Sequence, residues 1–235
     1  TRTHRPPPMA DFPRWRGPQR RIGLTGGIAT GKSSVGQWLA SVAGLPVLDA
    51  DRYARDALAA GSPGARAVLE RYGAAVRERR GNAPAAEDAA VVIDRSALGR
   101  IVFQDPAERL WLEQLIHPQV QERFRRELAA LAEAPVVVLM IPLLFEAGLT
   151  GLCSEVWLVD CDESQQLQRL IGRDQCSEGE ARERIAAQWP LARKRPLAEA
   201  LISNRGLPGQ WVDSVRHLLA HGPYASEGIP GPSET

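Results

Sequence analysis

The eight residues Gly26-Gly27-Ile28-Ala29-Thr30-Gly31-Lys32-Ser33 constrain this chain more than any other stretch, because they fit G-x-x-x-x-G-K-[ST]. The flanks are the required ones: the apolar run Arg21 to Leu24 reads as a strand before the loop, and a helical pattern from Ser34 to Ala43 follows it. Glycine at 26 and 31 permits positive φ and close backbone approach, so successive N–H groups can form a nest for phosphate oxygens. The helix behind the loop adds its partial positive charge, the Lys32 ammonium can reach the β and γ phosphates, and the Ser33 hydroxyl can ligate Mg²⁺. Lysine occurs only at 32 and 194 in a chain that otherwise uses arginine. A compact ammonium suits this loop, where a guanidinium fork would be too bulky. The loop alone does not separate kinases from GTPase switches, ATPases or other nucleotide-binding proteins.

Four further apolar runs, Pro46 to Leu48, Val136 to Ile141, Glu155 to Val159 and Ala200 to Ile202, are each followed by a turn residue and a helical pattern. With the strand before the loop they predict an α/β P-loop three-layer fold around a five-stranded parallel sheet. Residues 49–135 contain no convincing strand and much helix-start chemistry, which predicts a helical substrate-binding insert over about 52–133. Ser62-Pro63 and Asp105-Pro106, with Glu108 three residues after the Asp105 cap, open helices there. Pro118 is expected to kink or end the second, before another helical pattern from Val120 to Leu131. Residues 79–90 read as an exposed loop. A second insert, 163–196, carries cap pairs at Asp162/Gln165 and Ser177/Glu180 and six arginines, predicting a helical-hairpin lid turning near Asp174 and Gln175.

Composition narrows the function by exclusion. The 235 residues hold 29 Lys+Arg and 28 Asp+Glu, a net charge of +1, which removes the broad electrostatic footprint of a nucleic-acid or membrane-surface binder. No apolar run approaches the ~20 residues of a membrane span. The cysteines Cys153, Cys161 and Cys176 are odd in number and lack metal-ligand spacing, so neither a disulfide framework nor a zinc site is expected and a reducing cytoplasm is. Residues 1–20 lack the apolar core of a secretory signal and read as a disordered leader, with 221–235 as a disordered tail and the kinase-like domain over 21–220.

The second strand ends in Pro46-Val-Leu-Asp-Ala-Asp51, placing Asp49 and Asp51 at the carboxyl edge of a strand expected near the phosphate loop. Such a carboxylate can orient or deprotonate an acceptor hydroxyl, or hold Mg²⁺ through water. The alternative is that Asp49 or Asp51 caps the helix starting near Arg52.

TGGIATGKSS, DADRYAR, LIHP, IPLLFE, ARERIAAQWP and ISNRG, in this order and spacing, resemble the dephospho-CoA kinase family, and the similarity spans Arg21 to Leu219. The resemblance implies ATP-dependent phosphorylation of the ribose 3′-hydroxyl of dephospho-CoA, with Mg²⁺, by a cytoplasmic monomer built as a nucleotide core, a helical CoA-binding subdomain and a mobile lid. It implies Asp51 as the base or hydroxyl-orienting residue, and a nucleotide cradle of Gly26, Gly27, Ala29, Thr30, Gly31, Lys32, Ser33 and Ser34. Arg169 and Arg173, four apart on one helical face, would close on the transferring phosphoryl. Asn204 would line the adenine end, His117 would touch the acceptor substrate, and Pro142, Leu143 and Leu144 would shape its pocket.

Two positions depart from the family pattern. Ala29-Thr30 stands where Gly-Ser is common, which is expected to be tolerated only if Ala29 keeps negative φ. No acid lies near Met140, so further carboxylate help for Mg²⁺ would fall to Asp49 or Asp51. The rival readings are another small-metabolite or nucleoside monophosphate kinase and a non-catalytic nucleotide-sensing module. Lys32, Ser33 and Asp51 together favour catalysis, since a sensor needs no residue aimed at an acceptor hydroxyl.

Overall fold

The structure is a computed structural model and describes residues 13–78 and 91–223. The loop expected over 79–90, the leader up to residue 12 and the tail from 224 lie outside the described residues. The apolar runs form strands β1 (Arg20–Gly26), β2 (Val47–Asp49), β3 (Val136–Met140), β4 (Glu155–Asp160) and β5 (Ala200–Ser203). They lie in one parallel sheet in the order β2-β3-β1-β4-β5. Leu24 of β1 sits in register with Met140 on one side and Trp157 on the other. One strand, β3, therefore separates the second strand from the strand that feeds the phosphate loop.

The helices of the described residues are α1 (Lys32–Ser41), α2 (Ala50–Ala57), α3 (Pro63–Tyr72), α4 (Arg95–Gln104), α5 (Pro106–Ala130), α6 (Glu163–Asp174), α7 (Glu178–Ala186), α8 (Leu191–Lys194) and α9 (Val212–His221). The chain divides into two compact units, Thr1–Leu48 with Ala132–Thr235, and Asp49–Leu131.

In the first unit, alternate strand residues Ile22, Leu24, Val138, Met140, Trp157, Val159, Ala200 and Ile202 meet Val35 and Leu39 of α1 and Trp211 and Val215 beside α9. Period-two alternation puts one set of strand side chains on this face, and helical spacing supplies the other half of the core. Met140 belongs to this apolar layer and is 9% exposed. Arg20 ties β1 to the end of α9: its guanidinium pairs with Glu155 at 2.7 Å and donates to the Leu218 and Leu219 carbonyls at 2.7 Å each. A cation is favoured there because the last carbonyls of a helix carry partial negative charge.

Residues 13–20 depart from the expected disordered leader. Trp15 donates its backbone N–H to the Cys153 carbonyl, Arg14 pairs with Glu199 at 3.1 Å, and the Arg21 guanidinium stacks 3.6 Å from the Trp15 ring centre. An indole and two guanidiniums find partners on the domain, which the proline-rich context concealed.

The second unit has a core of its own, with Ala65, Val68, Val76, Ile93 and Leu98 packed by residues of α3, α4 and α5. Ser62 caps α3 by accepting from the Ala65 N–H at 3.0 Å, and Asp105 caps α5 by accepting from Ala107 at 2.8 Å. The expected break at Pro118 does not end the helix: α5 runs from Pro106 to Ala130 through it. Proline removes one donor, but Ile116, Val120, Phe124 and Leu128 stay on one buried stripe across it. The Gln119 side chain also donates to the Leu115 carbonyl at 3.0 Å. Packing of the stripe outweighs the lost backbone bond.

Candidate active site

The loop between β1 and α1 owes its shape to three contacts that leave no room for larger residues. A Cβ at Gly27 would lie 2.5 Å from Gln166 Nε2, and one at Gly31 would lie 2.2 Å from Asn204 Nδ2. Gly31 also has φ 96, a left-handed conformation in which a Cβ is strained. Thr30 is fully buried and turns its hydroxyl back onto the Gly27 carbonyl at 2.9 Å. Its side chain therefore serves the loop itself.

Among the described residues, the N–H groups of Ala29, Gly31 and Ser33 have no protein acceptor. This row of donors at the start of α1 is the nest the sequence predicts, and it fits the phosphates of ATP. Lys32 is 7% exposed at the helix start, whereas Ser33 and Ser34 are exposed. Ser33 fits Mg²⁺: this hard cation keeps several waters, takes other ligands from phosphate, and asks the protein for one or two oxygens. A free hydroxyl in the first turn supplies one.

Ala29 corrects an expectation. Its φ is 59, so the position is left-handed although the residue carries a Cβ, and tolerance does not come from negative φ. Flanking hydrogen bonds hold it there: Gln166 Nε2 donates to the Ile28 carbonyl at 2.8 Å, and Gln188 Oε1 accepts from the Ile28 N–H at 2.8 Å. Asn204 Nδ2 donates to the Thr30 carbonyl at 2.8 Å. Three carboxamides thus fasten the loop. Asn204 is a buttress of the loop.

Arg169 of α6 reaches the same place. One guanidinium nitrogen donates to the Asn204 carbonyl at 2.9 Å, while its Nη1 is buried with no hydrogen-bond partner. A buried guanidinium donor left open beside an anion nest is matched by a phosphate oxygen. Arg173 is not brought to the loop. It forms two hydrogen bonds to neighbouring Asp174, at 2.7 and 3.1 Å, and its side chain is 58% exposed. Asp174 also takes Arg184 at 2.9 Å, and the Arg173 guanidinium, foremost, holds its carboxyl below the usual carboxylate range.

The hairpin predicted over 163–196 has a fastened root and a loose end. Glu146, after β3, accepts from the Trp189 N–H at 3.1 Å and pairs with the fully buried Lys194 at 2.7 Å. Asp160, 4% exposed at the end of β4, pairs with Arg195 and Arg205, each at 3.0 Å. α7, in contrast, buries only Ala181. Its Arg182, Ile185 and Ala186 border a cavity of about 550 Å³ that Gly27, Gln166 and Gln188 also line.

In the second unit, Asp49 is the cap of α2, accepting from Asp51 N–H at 2.9 Å and Arg52 N–H at 3.4 Å. The capping role therefore falls to Asp49, and the exposed Asp51 carboxylate is not used for it. His117 is exposed on α5. Of the three residues expected to shape an acceptor pocket, Pro142 accepts from the Thr25 hydroxyl at 3.1 Å and Leu143 is 38% exposed. Leu144 is fully buried against Gly23 and cannot line an open pocket, because it fills the layer beneath β1.

The dephospho-CoA kinase family model matches residues 20–208. A dephospho-CoA kinase from Synechococcus sp. (strain CC9605) is 62% identical over 207 residues, covering 88% of this chain and 95% of the relative. The chain belongs to the dephospho-CoA kinase family. A dephospho-CoA kinase from Synechococcus elongatus is 50% identical over 186 residues, 79% of this chain and 84% of its own. Among solved structures, TT1252 from Thermus thermophilus aligns with TM-score 0.71 and 34% identity over 87% of this chain and 98% of that one. A dephospho-CoA kinase from Campylobacter jejuni, 22% identical, shares the fold with TM-score 0.57 over 84% and 96% of the two chains. As a member of the dephospho-CoA kinase family the chain is a kinase of coenzyme A biosynthesis, with ATP as phosphoryl donor.

Gln166, Gln188 and Glu146 were not singled out by the sequence. A carboxamide carries no charge and follows no spacing rule, so only the folded contacts reveal Gln166 and Gln188. Glu146 lies inside IPLLFE, and that apolar run gave the one hint of its partly buried place.

Proposed function

We propose that this chain transfers the γ-phosphoryl group of ATP to the ribose 3′-hydroxyl of dephospho-CoA, giving coenzyme A and ADP. The observation that carries the phosphoryl-transfer reading is the open row of N–H donors at Ala29, Gly31 and Ser33 with the partnerless buried Nη1 of Arg169 beside it. The acceptor is read from the family to which the chain belongs.

Lys32 and the loop N–H groups hold the phosphate oxygens, and Asn204 and Arg169 fix the loop and its ligand. Ser33 would hold Mg²⁺, which would supply charge neutralisation for the transferring phosphoryl group. Asp51 takes the proton of the 3′-hydroxyl as its oxygen bonds to the γ-phosphorus and the bond to the leaving ADP oxygen breaks. Leu143 offers apolar surface to the acceptor, framed by Pro142, and His117 offers a polar contact in the helical insert. Arg173 joins the transferring phosphoryl only after leaving Asp174, and the sparse burial of α7 supports a lid that moves in binding. Free thiols at all three cysteines suit a reducing cytoplasm, and no helix among the described residues is long and apolar enough to cross a membrane.

Turnover with dephospho-CoA, and none with AMP, shikimate or no acceptor, tests the substrate. Asp51→Asn keeps the side-chain shape and removes the proton acceptor. It is expected to leave ATP affinity within a few-fold of wild type and to lower kcat by roughly 10² or more. Calorimetric ATP binding that collapses with turnover would assign Asp51 to Mg²⁺-ATP instead, and unchanged kinetics would remove it from catalysis.

A further inference from the structure

We infer that Gln166 is a positioning residue for phosphoryl transfer: it holds the Ile28–Ala29 peptide in the orientation that turns the Ala29 N–H into the phosphate nest. The inference rests on reading residues 26–33 as the cradle of ATP. Its geometry is that of one rigid plane. The Ile28 carbonyl and the Ala29 N–H belong to the same trans peptide and point in opposite directions. Gln166 Nε2 donates to that carbonyl at 2.8 Å from the side chain of α6, where the residue is 4% exposed. The N–H on the far side of the plane is left without a protein acceptor.

The orientation has an intrinsic opponent. Ala29 has φ 59, and a residue with a Cβ relaxes toward negative φ when nothing opposes it. Rotating the Ile28–Ala29 plane is the direct way to relax, and it would carry the N–H out of the nest. Gln166 opposes this rotation from the carbonyl side. Gln188 steadies the preceding peptide by accepting the Ile28 N–H at 2.8 Å, and the adjacent Trp189 N–H is bonded to Glu146 at 3.1 Å. A glycine at 29 would have no strain to relieve and would need the clamp far less.

That dependence sets the test. Gln166→Met removes the donor at similar volume and is expected to weaken ATP binding by roughly 10-fold, the scale of one hydrogen bond, with a parallel fall in kcat. In an Ala29→Gly background the same substitution is expected to cost less than about threefold. A bond that served only folding would lower thermal stability and cost both backgrounds alike. Equal losses in the two backgrounds, or no loss in either, would overturn the inference. Should Gln166→Met not fold, Gln166→Glu, which keeps the shape and loses the donor, is read by the same comparison. An unchanged ATP titration in Lys32→Ala would overturn the cradle reading itself, and the inference with it.

Discussion

Glu108 stands three residues after the cap of α5, where a carboxylate commonly reaches back to the cap N–H, yet it turns to α3 instead. It accepts two bonds from Arg71, at 2.7 and 2.8 Å, and one from the Tyr72 hydroxyl. Arg71 foremost, then Tyr72, holds its carboxyl down to about 2. Because the folded value lies below that of the unfolded chain, unfolding takes up a proton, and the contribution is lost as pH falls from about 4.5 toward 2. Glu108→Gln should flatten the dependence of the melting temperature on pH across that window: it lowers the melting temperature near neutrality, where the contribution is fully present, and approaches wild type toward about pH 2. A wild-type slope in the variant would show that the pair adds nothing to stability. The P-loop residues were legible one by one, because each belongs to a motif with a mechanism. What Ala29, Arg173 and Leu144 do was not legible. A φ angle and the depth of one leucine beneath β1 are settled by neighbours distant in sequence, Gln166 and Gly23 among them, while Arg173 pairs with the adjacent Asp174, a choice that no spacing rule records.

At the scale of elements, the strands were readable from short apolar runs and the helix starts from Ser62, Asp105, Asp162 and Ser177, since both signals are local. α5 was the exception, as Pro118 is a strong local breaker overruled by a buried stripe on either side of it. α4 also escaped notice, although Asp94 caps it by accepting from the Ala97 N–H at 3.0 Å. The root of the hairpin was invisible in sequence because its fastening is a charge pair between the turn after β3 and α8. Lys194 has no exposed surface and meets Glu146 at 2.7 Å. Breaking one side of such a pair strands a buried charge and costs about 3–5 kcal/mol, while replacing both sides by apolar groups costs far less. Lys194→Met and Glu146→Leu should each lower stability, and the double variant should lose at least about 1 kcal/mol less than the sum of the two. Additive losses in chemical denaturation would show that the two side chains are not coupled.

For the whole molecule, residues 49–135 were recognisable as an insert because they lack a strand, and the second compact unit, Asp49–Leu131, falls close to those limits. The order of strands was not recognisable, since no local pattern records that β3 lies between β1 and β2. Each unit carries its own apolar cluster, so damage to one need not spread. Val68→Ala, in a fully buried position of the insert, should cost roughly 2 kcal/mol, visible as faster hydrogen exchange in α3 and α4. ATP affinity should stay within about threefold of wild type, and a matching loss of ATP affinity would show that the two units unfold as one. The cysteines are divided just as unevenly. Cys153 and Cys161 have no exposed surface, and burial pushes the Cys153 thiol up to about 12, whereas Cys176 is partly exposed at the turn between α6 and α7. A maleimide fluorophore or nitroxide label added to the unaltered chain would therefore attach at Cys176 alone while the fold holds. That leaves a single spectroscopic handle at the tip of the hairpin, where an environment-sensitive label would report whether the hairpin moves when ATP binds, without engineering a cysteine.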